Sequence, residues 1–296
     1  MNNYTLKKET MHAAMNNIIL YNILGYAYLL CTVLYLVHIL FKHNGAGKAA
    51  TVLCWCACGV HAGAFLLRWA ESYQMGIGHL PIRGPYECIT FSAGVIIVLY
   101  LLIERILRTR AFGGIMLPVV ALMMIYAAMT SGIDSAIQPM PEVLQGNYIN
   151  YHLASCFVGY GAFTVSCAAS IVIVVLGIRS RVRTGDSQTV FLSPDLMDAV
   201  NYRMIAIGFI MFSILIITGM FRSKIIWGRY WEWDPVQTWS FLSWIVYAAI
   251  LHGRYVRKWH AEVTAVLSII GFAFAVMSFL IGAGFVDVSQ HFPITG

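Results

Sequence analysis

Five of the eight tryptophans in the chain fall within eighteen residues, between Trp227 and Trp244. Two carboxylates, those of Glu232 and Asp234, lie among them, and a proline follows Asp234 directly. Indole rings are large, flat and amphipathic, so a cluster of them forms either an interfacial belt at a membrane surface or a platform for a flat apolar ligand. A belt requires neither carboxylates nor a proline-bounded turn. The composition of this segment therefore favours a binding surface over an anchor.

Histidines at the ends of apolar runs are the second source of chemistry. His152 opens one run, His252 lies near the end of another, and His291 follows the last one. Imidazole is a common metal ligand, and a histidine at membrane depth is costly enough to be a functional candidate. His38 and His61 lie inside runs and are weaker candidates, because a single histidine between helices often only bonds a carbonyl.

The elements that must position these residues are membrane helices. The chain is 59% hydrophobic and 11% charged, which leaves a soluble fold nowhere to bury its apolar surface. Runs of about 20 apolar residues cross a bilayer as helices, whereas a barrel needs short alternating strands. The sequence therefore predicts an all-α, polytopic integral membrane helical bundle with about eight transmembrane helices, in a single membrane domain over 1–296. The runs are 18–41, 49–68, 88–104, 113–131, 152–178, 203–221, 238–253 and 262–283.

Basic residues accumulate in every second connection and predict the orientation. Eleven of the nineteen Lys and Arg residues lie there: Lys42, Lys48, Arg105, Arg108, Arg110, Arg179, Arg181, Arg183, Arg254, Arg257 and Lys258. The positive-inside rule assigns these connections, including the one at 179–201, to the cytoplasm. Both termini and the Trp-rich segment, 222–244, then face outward. This topology explains the net charge of +6, so we do not expect nucleic acid as a partner. The partner expected from the apolar runs is the lipid bilayer.

The cysteines and the N-terminus give weaker signals. In Cys54-x-Cys-x-Cys58, residues i and i+2 point to different faces of a helix, so we interpret them as small packing residues and not as metal ligands. The first apolar run follows a polar segment and is too long for the apolar region of a cleaved signal peptide. We expect the N-terminus to be retained.

The Trp-rich segment also carries a recognisable motif. Trp227-Gly-x-x-Trp-x-Trp-Asp-Pro-x-x-Thr-Trp239, with Trp244, Tyr247 and Leu251-His252 after it, resembles the WWD signature of the haem-handling proteins of cytochrome c maturation. Among these, the chain is most similar to the CcsA (ResC) family, the integral-membrane half of the system II cytochrome c synthase. The stretch Arg68-Trp…Gly78-His79-x-Pro…Tyr86-Glu87 is similar to a second signature of that family. It is expected either to line the same outward chamber or to be an ordinary ordered loop.

This resemblance implies a site for haem b. His152, followed by Gly159-Tyr160, matches the first outward histidine of the family. His291 falls where the family carries its second, although Phe292-Pro293 replace the usual small residues. The two are expected to ligate one haem iron from opposite sides. The remaining contacts expected with this haem come from Trp227, Trp231, Trp233, Asp234, Trp239, Tyr86 and Glu87, with Arg229 or Arg83 on the propionates.

A second haem position is implied on the cytoplasmic side. Eighteen residues separate Asp234 from His252, which in a helix is about 27 Å, so one iron cannot reach both levels. His252 is therefore assigned to an inner site. The family implies that a separate CcsB (ResB) chain supplies the other ligand there, and His38 is the alternative within this chain.

The implied function is haem transport and covalent attachment of haem to the Cys-x-x-Cys-His motif of an apocytochrome c. The chain has no such motif of its own. This would be a holocytochrome c synthase (haem lyase) activity, in complex with CcsB, at the bacterial inner membrane with the active site facing the periplasm. One alternative is a CcmC-like haem exporter or chaperone, which needs only about six spans. Another is a b-type membrane cytochrome in electron transfer, which needs paired histidines at both depths.

Overall fold

The structure, a computed structural model, describes residues 3–82, 84–130, 133–139, 147–182 and 193–285, with side chains throughout except at 3–16, 147–148 and 179–182. Eight α-helices build the described part of the chain, which contains no β-strand. They are α1 (Asn3–Phe41), α2 (Asn44–Gln74), α3 (Gly84–Leu107), α4 (Gly113–Met129), α5 (Asn147–Val182), α6 (Pro194–Trp227), α7 (Pro235–Val256) and α8 (Ala261–Gly282).

Each predicted apolar run corresponds to one helix, and the prediction of an all-α, polytopic membrane helical bundle is confirmed. Six helices, α1, α2, α3, α5, α6 and α8, are long and apolar enough to cross a bilayer. The apolar α4 has 17 residues, or about 26 Å, against a hydrocarbon core of about 30 Å. The tryptophans, serines and His252 of α7 lower its mean hydropathy. The side of the membrane on which each terminus lies stays a prediction.

The chain divides into two compact units. We call Met1–Pro141 the first unit and Glu142–Gly296 the second unit. The expected single membrane domain over 1–296 stays a prediction. In the first unit, α1 packs against both α2 and α4. Its buried residues alternate at spacings of three and four, which keeps one stripe of the helix against its neighbours. The stripe consists of Asn17, Tyr21, Leu24, Tyr28, Cys31, Tyr35 and His38.

A buried polar network joins α1, α2 and α3 at one end of the first unit. Arg68 Nε donates to Glu87 Oε1 over 2.8 Å, and Arg68 Nη1 donates to Asn17 Oδ1 over 3.3 Å. Asn17 Nδ2 in turn donates to Glu71 Oε2. Arg68 Nη2 donates over 2.7 Å to the Ser135 carbonyl, in the segment after α4. Arg68 is 1% exposed, so the hydrogen bonds of the network take the place of the water that would otherwise solvate its guanidinium.

A second polar cluster closes the opposite end of α3. The Glu104 carboxylate accepts hydrogen bonds from Tyr35 Oη at 2.7 Å, from Thr51 Oγ1 at 2.5 Å and from Tyr100 Oη. Arg110 Nε lies 3.7 Å from Glu104 Oε1 and donates to Thr51 Oγ1 over 3.1 Å. The cluster therefore fixes α1, α2 and α3 to one another around a single buried charge.

The core of the second unit is aromatic and is held between helices by hydroxyl groups. The rings of Phe163 and Tyr247 stack at 3.7 Å. Gly208 on α6 allows this, because a Cβ there would lie 2.3 Å from Phe163. Ser166 Oγ bonds Asn201 Oδ1 at 2.6 Å and Ser268 Oγ at 2.8 Å, which joins α5 to α6 and α8. Such interhelical hydrogen bonds between small residues are typical of membrane bundles.

We predict that Arg68→Met destabilises the purified protein by about 3–5 kcal/mol, because it leaves Glu87 buried without its cation. The Arg68→Met/Glu87→Gln double variant should recover most of this loss. Thermal unfolding in detergent, followed by circular dichroism, measures both effects.

Arg229→Met is the matched control for this prediction, since the Arg229 side chain is 76% exposed in its ion pair with Glu232 and the pair should contribute about 0–1 kcal/mol. An Arg68→Met variant as stable as this control would contradict the role assigned to the network.

Candidate functional site

The Trp-rich segment folds as a tight connection between α6 and α7. Gly228 ends α6 in the left-handed conformation, with φ of 74°, and its N–H donates to the Lys224 carbonyl over 3.1 Å. Ser223 Oγ then donates to the Arg229 carbonyl over 2.9 Å, which folds the connection back over the last turn of α6. The connection therefore lies against the helix end and is not an extended loop.

Asp234 begins α7 as its N-cap. Its Oδ1 accepts hydrogen bonds from the backbone N–H groups of Val236 at 2.8 Å and Gln237 at 3.0 Å, and Pro235 occupies the first helical position. Asp234 is buried, and this burial raises the pKa of its carboxyl against the lowering effect of the two N–H groups. The local sequence explains the turn, because aspartate before proline is a strong helix-start signal. One oxygen of the carboxylate is thus committed to the helix.

Trp233, directly before the cap, has a left-handed backbone with φ of 57°. For a bulky residue this conformation costs on the order of 1–3 kcal/mol and persists only where the surroundings enforce it. The Asp234 cap on one side, and the bond from Thr238 Oγ1 to the Trp233 carbonyl at 3.1 Å, hold the residue in place. Trp233 is 61% exposed in this conformation.

Aromatic rings surround this exposed indole. Trp231, Trp233 and Phe241 meet edge to face, with centroids 5.3–6.1 Å apart. Trp244 stacks on Phe241 and, through Nε1, donates to Ser213 Oγ over 2.9 Å. The indole N–H of Trp231 is buried and has no hydrogen-bond partner among the described residues. The cluster therefore combines an open aromatic face with one unsatisfied donor.

The other two tryptophans predicted for the site lie at its edge. Trp227 is the last residue of α6 and is 37% exposed. Trp239 lies on α7, with its ring 5.5 Å from Phe274 of α8. The structure thus brings Trp231, Trp233 and Asp234 together, whereas Trp239 packs on a neighbouring helix. Arg229 is largely exposed, and its Nε pairs with Glu232 Oε1 at 3.0 Å.

His152 lies near the start of α5 and faces α6. Its Nδ1 is 3.0 Å from Thr218 Oγ1. The single hydroxyl hydrogen of Thr218 is directed to backbone carbonyls, at 2.7 Å for Ile214 and 3.1 Å for Leu215. This contact fixes the His152 ring against α6 through Nδ1. When the imidazole proton is on Nδ1, Thr218 Oγ1 accepts it and Nε2 is the nitrogen that can bind a metal.

Arg222 is a residue of this site that the sequence reasoning did not select. It lies one turn after Thr218 on α6, and its charge acts on both His152 and Asp234. Sequence spacing does not indicate this position, because the groups that its charge influences lie on α5 and at the start of α7. The only signal is its place at the beginning of the Trp-rich segment.

The remaining histidines differ in their surroundings. His61 is buried in the first unit, where Tyr28 Oη lies 3.1 Å from Nδ1 and the Thr90 carbonyl lies 3.0 Å from Nε2, so both nitrogens are bonded. His79 contacts the carbonyls of Leu80 and Gln138. His38 Nδ1 lies 3.2 Å from the His43 carbonyl. In contrast, His252 is exposed on α7, 17 residues after Pro235 and close to the opposite end of the helix.

Several predicted site residues lie elsewhere or outside the described residues. Tyr86 and Glu87 are buried in the polar network of the first unit, where the Arg68 guanidinium lies 5.3 Å from the Tyr86 ring centre. His291 and Arg83 lie outside the described residues. The roles predicted for all four on haem stay predictions.

Comparison with known proteins identifies the family. The family profile described as "Cytochrome C assembly protein" matches residues 84–284, which include α3 to α8 and the whole Trp-rich segment. The chain therefore belongs to the cytochrome c assembly proteins, and within them to the CcsA family. Its role lies in cytochrome c biogenesis, and it is a multi-pass membrane protein.

Two relatives illustrate the likeness. The cytochrome c biogenesis protein CcsA of Synechococcus sp. (strain CC9902) is 29% identical over 250 residues, 76% of this chain and 80% of the relative. The CcsA protein of Chlamydomonas reinhardtii is 30% identical over 213 residues, 70% of this chain and 58% of the relative. Each alignment thus covers more than two thirds of this chain.

Among solved structures, the chain is similar to the cytochrome c haem lyase CcmF. The TM-score is 0.66 over 95% of this chain, at 18% sequence identity. At that identity the likeness concerns the fold. The chain spans about half of the length of that structure, at 48%.

We predict that Asp234→Ala lowers the stability of the second unit by about 1 kcal/mol, whereas Asp234→Asn retains most of it, because asparagine can still accept from the N–H groups of Val236 and Gln237. Thermal unfolding of the detergent-solubilised variants measures the difference. Equal loss in both variants would show that the carboxylate, and not the cap, is what the fold requires.

The same residue predicts a pH dependence. Because burial raises the pKa of Asp234, the folded protein holds this proton more tightly than the unfolded chain. The protonated Asp234 carboxyl therefore contributes fully to stability below the ordinary pKa of aspartate. This contribution is lost as the pH rises from the ordinary pKa through the raised pKa of the folded protein. Unfolding measured across mildly acidic pH should show this step in the wild type and lack it in Asp234→Asn.

Proposed function

We propose that this protein holds haem b at the Trp-rich end of its second unit and presents it for covalent attachment to an apocytochrome c. In this proposal it is the CcsA part of a system II cytochrome c synthase. The iron is held by His152 and His291, and the indole rings of the Trp-rich segment lie against the porphyrin. Haem is the substrate that the protein delivers.

The observation that carries the proposal is the contact that fixes His152 Nδ1 against Thr218 Oγ1 on α6. A histidine ligand to iron needs one nitrogen with a lone pair and usually donates its other N–H to a fixed acceptor, which sets the orientation of the ring. The hydrogen bond between His152 and Thr218 provides this arrangement on α5 and α6. His61, in contrast, uses both nitrogens within the first unit.

The aromatic cluster supports the same site. A porphyrin is flat and apolar with two charged propionates, so it favours stacking surfaces that have polar groups at their edge. The strained turn at Trp233 exposes an indole, and the buried N–H of Trp231 beside it has no partner among the described residues. Both features suit a surface that a flat ligand completes. An interfacial belt would not require the strained backbone.

The chemistry asked of the protein is positioning. Thioether formation adds each cysteine thiol of the Cys-x-x-Cys-His motif across a haem vinyl group: the sulfur bonds to one vinyl carbon and a proton is delivered to the other. The haem and the apocytochrome carry all of the reacting atoms. Fixing the ring orientation raises the effective concentration of vinyl and thiol, so no nucleophile from this chain is needed.

A second haem position at the other end of α7 belongs to the proposal. His252 is exposed there, about 26 Å along the helix from Pro235. An exposed histidine suits a ligand that is shared with another chain, so we assign the second iron ligand to a CcsB (ResB) partner. Haem would enter at this position from the cytoplasm and leave at the Trp-rich end, on the periplasmic side of the bacterial inner membrane.

The comparisons support the assignment to this reaction class. The curated relatives are cytochrome c biogenesis proteins, and CcmF, whose fold is similar, is a cytochrome c haem lyase. Whether bond formation takes place in this chain alone or in a complex is decided by co-expression. The protein should yield covalent cytochrome c only together with a CcsB-like partner and an apocytochrome. Bound haem without any thioether product in that strain would favour a chaperone.

We predict that His152→Gly lowers both the haem bound per inserted protein and the yield of covalent cytochrome c, and that added imidazole partly restores them by replacing the lost ligand. The absorbance spectrum of the purified protein and a haem stain of the cytochrome measure the two quantities. His260→Gly, at an exposed histidine before α8 whose side chain makes no capping bond, is the control. If both variants behave like the wild type, His152 is not a ligand.

The role of Thr218 can be tested separately. Thr218→Val keeps the shape but removes the hydroxyl group that bonds His152 Nδ1, and it should weaken haem binding about tenfold or more, as for other residues that orient a metal ligand. Thr218→Ser keeps the hydroxyl and should bind haem like the wild type. Haem titration of the purified variants compares them, and equal affinity in Thr218→Val would remove the hydrogen bond from the proposal.

A further inference from the structure

Arg222 occupies a position that neither the Trp-rich motif nor the proposed iron ligands explain. It lies on α6 four residues after Thr218, and residues four apart occupy the same face of a helix. That face is the one that Thr218 turns toward His152 on α5. Arg222 therefore lies on the face of α6 that turns toward α5, one turn from the residue that contacts His152.

The charge of Arg222 reaches two elements at once. It acts electrostatically on His152, near the start of α5, and on Asp234, the cap of α7. Asp234 is 7% exposed, and its Oδ1 accepts both capping hydrogen bonds. A guanidinium beside the proposed iron ligand and the aromatic surface thus lies in a partly buried setting, where interactions between charges are stronger than in water.

The two other described cations of the Trp-rich segment are engaged differently. Lys224 Nζ donates to the Gly228 carbonyl over 2.5 Å and lies 5.6 Å from the Tyr230 ring centre, so it closes the turn that ends α6. The Arg229 side chain is 76% exposed and pairs with Glu232. These contacts hold Lys224 at the turn and Arg229 on Glu232, whereas the charge of Arg222 influences the pKa of Asp234.

We propose that Arg222 binds a propionate carboxylate of the porphyrin held at His152, and so selects a porphyrin that carries free carboxylates. This inference rests on the proposed haem site and replaces the expectation that Arg229 or Arg83 has this role. Guanidinium and carboxylate form paired, charge-assisted hydrogen bonds with fixed geometry. A guanidinium carries five N–H donors, so one arginine can bond a ligand carboxylate and groups of the protein at the same time.

The bond between Arg222 and the propionate would also orient the porphyrin ring. A porphyrin has its two propionates on one edge, so a cation at a fixed place beside the iron ligand determines which edge faces α6. The opposite edge, which carries a vinyl group, is then directed away from Arg222. A single ion pair would in this way set which part of the haem an apocytochrome meets.

The test compares haem with its dimethyl ester, in which both propionates are neutral. The full-length protein is purified in detergent, freed of haem and titrated with each compound, for the wild type, Arg222→Gln, Arg222→Lys and Arg229→Gln. We expect the wild type to prefer haem over the ester by roughly tenfold to a hundredfold, the range of a charge-assisted hydrogen bond. Arg222→Gln should lose most of this preference through weaker haem binding, while its affinity for the ester stays close to that of the wild type.

The controls separate this inference from the proposed function. Arg229→Gln should keep the full preference, and Arg222→Lys, which retains the charge without the paired geometry, should keep part of it. An unchanged preference in Arg222→Gln, or its loss in Arg229→Gln, overturns the assignment to Arg222. If the wild type binds neither compound, the haem site itself fails. If Arg222→Gln binds both compounds poorly and unfolds at a lower temperature, then Arg222 is a structural residue and the inference is wrong.

Discussion

Inside a bilayer, a polar side chain has no water to bond, so each one must find its partner within the protein. This constraint organises both units. In the first, one arginine joins three helices through Glu87, Asn17 and the Ser135 carbonyl, and the Glu104 carboxylate gathers three hydroxyl groups. In the second, serines link α5, α6, α7 and α8. The helices are long and apolar, but these bonds decide which face of each helix meets which neighbour.

The same constraint separates two histidines that look alike in the sequence. Both His61 and His152 lie in apolar runs, and both contact a hydroxyl group. The hydroxyl of Tyr28 faces one nitrogen of His61 while a backbone carbonyl accepts from the other, so the ring is used completely as a link between helices. At His152, Thr218 Oγ1 lies 3.0 Å from Nδ1 and also 2.7 Å from the Ile214 carbonyl. His61 therefore uses both ring nitrogens to link helices, whereas the contact with Thr218 engages only Nδ1 of His152.

The helices and the Trp-rich turn could be predicted from the sequence, because their signals are local. Runs of about twenty apolar residues predict the eight helices, and the proline-bounded turn predicts a break before α7, although the predicted run begins at 238 and the helix at Pro235. The partners of Glu87 and the location of Arg222 could not be predicted in this way. Arg68 lies nineteen residues before Glu87, and Arg222 acts on residues of α5 and α7. Such pairs depend on the rotation of each helix about its axis when the helices pack. The helical periodicity of one sequence does not determine this rotation, because it does not say which neighbour each face meets. The left-handed backbone of Trp233 could not be predicted for a related reason. Contacts with the rest of the fold impose this conformation, which tryptophan by itself disfavours.

The two buried carboxylates of α3 bear on how the protein enters its membrane. Glu87 and Glu104 are seventeen residues apart, about 26 Å along the helix, which is close to the thickness of the hydrocarbon core. A newly inserted α3 can therefore keep one acidic side chain at each surface of the bilayer, where both remain hydrated before any neighbour has arrived. When α1 and α2 pack against it, Arg68 and the hydroxyl groups of Tyr35 and Thr51 take over from that water. This spacing lets a helix with two charged side chains enter the bilayer by itself. The two carboxylates lose their hydration only when the bundle assembles.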